Sequence, residues 1–140
     1  VSPDALALAR ENARRLGAEV EFRQVDILQE DAWTALGTYD VVVSNPPYVR
    51  ESERAQMHDN VRRYEPPLAL FVPDEDPLRF YRAIGRFALA GLAAGGRLYF
   101  EINRAFGRQT AELLTGLGFA EVEVFQDING CDRMVRAVKK

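Results

Sequence analysis

An apolar, β-branched run ends at two consecutive prolines in Val41-Val42-Val43-Ser44-Asn45-Pro46-Pro47-Tyr48. The run, with Asp40 before it, reads as a buried strand. Proline lacks an N–H and has a fixed φ, so Pro46 and Pro47 end the strand and stiffen the turn that follows. Pro46 also confines Asn45 to extended or turn backbone. One polar amide, the main-chain carbonyls of Pro46 and Tyr48, and one aromatic ring are thereby gathered at a strand's C-terminal end. In an open α/β sheet that end is where ligands bind.

The Asn45 side chain offers an acceptor oxygen and two donors. Together with the carbonyls and the Tyr48 ring it suits a flat –NH₂ group, held through its N–H bonds and covered by an aromatic face. An amide nitrogen is a poor nucleophile because its lone pair is delocalised. Acceptors on its N–H bonds orient it and stabilise the positive charge that grows as it attacks an electrophile. The plain alternative is a turn, since Asn and Pro are common turn residues. The order strand, Asn, Pro-Pro, aromatic favours the functional reading.

Asn45-Pro46-Pro47-Tyr48 after an apolar strand resembles motif IV of S-adenosylmethionine-dependent amino-methyltransferases, which act on planar amides or exocyclic amines. Tyr64-Glu65-Pro66, Ala69-Leu70-Phe71 and Leu78-Arg79-Phe80-Tyr81 narrow the likeness to the HemK/PrmC family of protein-(glutamine-N5) methyltransferases. The resemblance runs from Val1 to about Val138. It implies S-adenosylmethionine as cofactor and, as protein substrate, a peptide chain release factor with its Gly-Gly-Gln glutamine. It also implies roles for single residues. Asn45, Pro46 and Tyr48 would align the glutamine amide, with Pro47 and Glu65 in the substrate-binding set. Asp26 would accept the adenine amino group, and Ile27 would pack on the ring, with Asn45 also beside the cofactor. Ile27 fits the core equally well. Glu65 is as readily a solvated structural residue, and Glu101 matches an acidic position of the family with no role fixed. No metal is implied.

The remaining chain alternates helix and strand. Ser2-Pro3-Asp4 starts a helix with Leu6, Ala9, Ala13 and Leu16 inward and Gly17 as its stop. Glu19–Ile27 alternates as a strand ending at Asp26. Asp31–Leu36 makes a short helix with Trp33 inward. Val49–Glu75 is long and weakly periodic, with Glu51–His58 helical and Tyr64–Pro67 extended, and it is placed to cover a substrate. Asp76 and Pro77 open the clearest helix, whose aromatic residues read as core, and Gly95-Gly96 closes it. Arg97–Ile102, Phe119–Gln126 and Arg133–Val138 read as strands, the last two a hairpin about Asp127–Gly130, with a helix over Phe106–Leu117.

This pattern is α/β: a single partial catalytic domain over residues 1–140, with a mostly parallel sheet and a C-terminal antiparallel hairpin. By resemblance it is a Rossmann-like methyltransferase fold, incomplete, because the family's first strands and Gly-rich cofactor loop have no match. That implies weak cofactor binding by these residues alone, impaired activity, and an open edge on Tyr39–Ser44 suited to dimer formation. The lone Cys131 excludes an internal disulfide and, with no apolar run near the roughly 20 residues of a membrane span, fits the cytoplasm. A formal net charge of −3 argues against direct nucleic-acid binding. The rival readings are an adenine-N6 DNA or RNA methyltransferase, which shares the Asn-Pro-Pro-aromatic corner, and a non-catalytic binding fragment.

Overall fold

The computed structural model describes residues 1–33, 36–56 and 66–140. Helix α1 spans Pro3–Leu16 and is capped as expected. The Ser2 Oγ accepts the Ala5 N–H at 3.2 Å, and Gly17 closes the helix in the left-handed region. Leu6, Ala9 and Ala13 are half-buried, but Leu16 is exposed.

The next segment departs from expectation. Residues 18–26 pair with no strand among the described residues. Alternation gives a segment two faces, but a strand exists only where a neighbour completes its hydrogen-bond ladder. Side chains hold this segment instead. Arg10 donates to the Phe22 carbonyl at 3.3 Å, and Gln24 to the Val1 carbonyl at 3.0 Å. Asp26 ends it, its Oδ1 accepting the Leu28 N–H at 3.0 Å in a turn. A 3₁₀ turn over Glu30–Ala32 replaces the start of the expected short helix. Trp33 is buried, donates to the Ile27 carbonyl at 3.1 Å and meets Phe87 edge-on.

The main sheet has the order β1-β4-β6-β5. Its strands are β1 (Tyr39–Ser44), β4 (Leu92–Glu101), β5 (Ala120–Gln126) and β6 (Asp132–Val138). β1 and β4 are parallel; β4–β6 and β6–β5 are antiparallel, the latter being the expected hairpin. A two-residue parallel pair, β2 (Val49–Arg50) with β3 (Phe71–Val72), lies beyond the corner. Helices α2 (Arg79–Gly91) and α3 (Gly107–Leu117) pack on one face. Tyr81, Ile84, Ala88 and Leu114 form the core there with Leu98, Phe100, Ile102, Val135 and Ala137.

The alternation of β4 places Leu98 and Phe100 under the helices and Tyr99 and Glu101 on the other side. The same period runs through β1. Val41 and Val43, read as a buried run, are 51% and 74% exposed. Among the described residues β1 is an edge strand with only β4 beside it, and its odd-numbered valines face away from α2 and α3.

Two helix boundaries also differ. Asp76 does not cap α2, which starts at Arg79; its carboxylate is drawn into a two-bond pair with Arg82, 3.0 Å each. The helix ends at Gly91, and Gly95-Gly96 lies inside β4, where the register against β1 shifts. Gly95 has φ 77°, open to glycine at little cost. At Gly96 a Cβ would stand 2.9 Å from the Ala93 carbonyl oxygen and 3.1 Å from that of Asp40, so this strand approach requires glycine.

Candidate active site

Asn45-Pro46-Pro47-Tyr48 leaves the C-terminal end of β1 as the sequence predicts. Pro46 is buried and anchors the turn, whereas Asn45 is exposed. The Asn45 amide makes no hydrogen bond among the described residues. Its donors and acceptor therefore remain available to a ligand.

Asn45 borders two hollows. One, of about 570 Å³, is lined by Val25, Asp26 and Ile27, by Asn45 and Pro47, and by Phe80. The N-terminal turn of α1 and Pro66, Leu68 and Ala69 complete its wall. The other, of about 620 Å³, runs over the open sheet face past Val43, Asn45, Tyr99, Glu101, Phe125 and Met134. One side chain thus stands where the two meet.

The first hollow fits a nucleoside in size and chemistry. Asp26 supplies a carboxylate whose Oδ1 is taken by Leu28, leaving Oδ2 without a partner among the described residues. Ile27 and Phe80 supply apolar surface. Ile27 also packs against the core, so it stands both in the core and at the wall of the hollow. Phe80 was expected in the core alone; it packs there and lines the hollow as well. Glu65, Tyr64 and His58 lie outside the described residues. The neighbouring Pro66 and Ala69 border the first hollow.

Tyr48 is held at both ends. Its hydroxyl donates to Glu101 Oε1 at 2.8 Å, and its carbonyl accepts from Asn103 Nδ2 at 3.2 Å. Burial first, and then the Glu101 carboxylate, push the Tyr48 hydroxyl above its ordinary range, while Arg133 nearby opposes them. Asn103 is 8% exposed; its Nδ2 also reaches Glu53 at 3.3 Å, and its Oδ1 accepts the Ala105 N–H. Glu53 in turn accepts the Arg50 N–H at 2.9 Å. The Tyr48 carbonyl, offered by the sequence as a substrate acceptor, is thus already engaged by Asn103.

Burial raises the Glu53 pKa, but the Arg50 N–H, its guanidinium and Asn103 outweigh it and leave the carboxyl below its usual range. A carboxyl depressed on folding contributes stability that is complete above its unfolded pKa, about 4.3. That contribution fades as pH falls through the lower folded value. Tyr48 and Arg50 are therefore expected to loosen only in that acid window. Thermal melts from pH 7 to 3 should show the parent losing more stability there than Glu53→Gln.

Asn103, Glu53 and Phe80 were not among the site residues expected from the sequence. Asn103 and Glu53 are polar residues of ordinary type, 50 residues apart in the chain. A polar residue directly after the apolar alternation of β4 was the one available signal.

A family model described as "Methyltransferase small domain" matches residues 1–62. A curated release factor glutamine methyltransferase of Bacteroides thetaiotaomicron is 47% identical over 98% of this chain and 49% of its own length. One of Flavobacterium psychrophilum is 45% identical over 97% of the chain and 47% of its own length. The chain thus spans about half the length of the curated relatives it matches. In fold it is similar to a methyltransferase of Pyrococcus furiosus, with a TM-score of 0.63, 18% identity and coverage of 99% of this chain and 59% of that one.

Proposed function

We propose, from the 47% and 45% identity to two curated release factor glutamine methyltransferases, that the chain belongs to their family and that the corner at Asn45 aligns a release-factor glutamine for N5-methylation. The free Asn45 amide between the two hollows is the observation that carries this reading.

S-adenosylmethionine, when bound, supplies an electrophilic methyl group on a positively charged sulfur. Asp26 Oδ2 would accept from the adenine amino group, and Ile27 and Phe80 would cover the ring. The Asn45 oxygen and the Pro46 carbonyl accept the N–H bonds of the glutamine amide, turning its nitrogen toward the first hollow. The Tyr48 ring packs beside the amide. These groups stabilise the charge that develops on nitrogen and hold the attack in line.

A net charge of −3 and the relatives' names favour a protein amide over a nucleic-acid base. The test is methyl transfer from labelled S-adenosylmethionine to purified release factor, and to DNA, by the full-length protein. Label on the Gly-Gly-Gln glutamine supports the reading. Label on DNA alone replaces it with the adenine-N6 branch, and label on neither leaves a binding role.

No helix among the described residues is long and apolar enough to cross a membrane. A translation substrate and the lone Cys131 support a cytoplasmic setting; a membrane-bound pool on cell fractionation would contradict it. The exposed Val41 and Val43 on the β1 edge support pairing with a second copy. Sedimentation of this chain should then give a dimeric mass that Val43→Lys reduces to monomer; a monomer at all concentrations would exclude the pairing.

A further inference from the structure

We propose that Glu101 is the positioning residue that sets the angle of the Tyr48 ring over the substrate amide. The proposal rests on the functional reading above and adds a residue to it. Glu101 sits at the last position of β4, on the face opposite the helices. Its Oε1 accepts a hydrogen bond of 2.8 Å from the Tyr48 hydroxyl. Its own backbone is fixed from below, because the fully buried Tyr81 donates its hydroxyl to the Glu101 carbonyl at 3.2 Å. Two residues on, Asn103 secures the Tyr48 carbonyl.

A tyrosine ring held only by its Cα would still turn about its side-chain bonds. Tyr48 is instead fixed at carbonyl and hydroxyl by two residues from the same strand end, and that strand end is tied to the core. The carboxylate acts only as an acceptor here. Glu101 borders the open-face hollow that Asn45 also lines, which puts the acceptor of the Tyr48 hydroxyl beside the asparagine.

Three variants of the full-length protein test this, with transfer to release factor as the readout. Tyr48→Phe keeps the ring and removes only the hydroxyl; Glu101→Ala removes the acceptor; Glu101→Gln keeps an acceptor oxygen without the charge. Tyr48→Phe and Glu101→Ala should each lower kcat by about 10–100-fold with the cofactor KM unchanged. The double variant should be no worse than either one alone. Glu101→Gln should recover most of the loss.

Losses that multiply in the double variant would overturn the proposal. So would a Glu101→Gln variant as impaired as Glu101→Ala, since charge rather than geometry would then be at work. The NMR signal of ring-labelled Tyr48 separates this from the functional reading. If the parent transfers no methyl to release factor, that reading fails. The signal then decides alone: displacement by Glu101→Ala and return with Glu101→Gln support the placement, and an unmoved signal overturns it.

Discussion

Replacing Asn45 by alanine is expected to lower methyl transfer to release factor by about 10²–10³-fold in kcat, the loss seen when one preorganised polar contact to a reacting group is removed. The fold should not notice. Asn45 is exposed and makes no hydrogen bond among the described residues, so no buried partner is left unsatisfied by its removal. The melting temperature should therefore stay within about a degree or two of the parent, given the small change expected at a surface position. Single-turnover rates in the full-length protein, measured beside a thermal melt, check both halves. A loss below about tenfold with an unchanged melt would contradict the central role of Asn45 and shift alignment to the Pro46 carbonyl.

The largest effect on stability is expected from Phe100→Ala. Phe100 is 2% exposed and meets Tyr81 edge-on with ring centroids 5.1 Å apart. Truncation removes its transfer energy and leaves a cavity between β4 and α2, at a cost of about 3–5 kcal/mol. A lowered denaturant midpoint with an unchanged slope would show it. Phe125→Ala is the control: Phe125 is 42% exposed on the open face, and its loss should change stability by about 0.5 kcal/mol or less. Equal losses at the two positions would mean that the open face is covered in solution.

The corner was legible because its chemistry is local. Strand, asparagine, prolines and tyrosine are contiguous, and covalent geometry alone places them at a strand end. The helix caps at Ser2 and Gly17 were legible for the same reason, since capping acts within a turn. What escaped notice was non-local. Residues 18–26 carry a strand's alternation, but pairing depends on a neighbour that the alternation does not specify. The exposure of Val41 and Val43 follows from their pointing to the sheet face opposite α2 and α3, which no three-residue apolar run reveals by itself. Asp76 looked like a cap until Arg82, six positions on, drew its carboxylate away. The support of Tyr48 by Glu101 and Asn103 joins positions more than fifty residues apart and has no contiguous signature.

β4 also works as a ruler. Phe100 and Glu101 are neighbours in sequence, yet one belongs to the core and the other to the site, because consecutive side chains leave a strand on opposite sides. A single residue inserted or deleted within the strand would exchange them, placing a carboxylate among leucines and a phenylalanine where Tyr48 needs an acceptor. A substitution along β4 acts at one position, whereas a change in its length displaces every side chain beyond it. Descent should have preserved the count of residues between Gly96 and Glu101 more strictly than the identities of those between them.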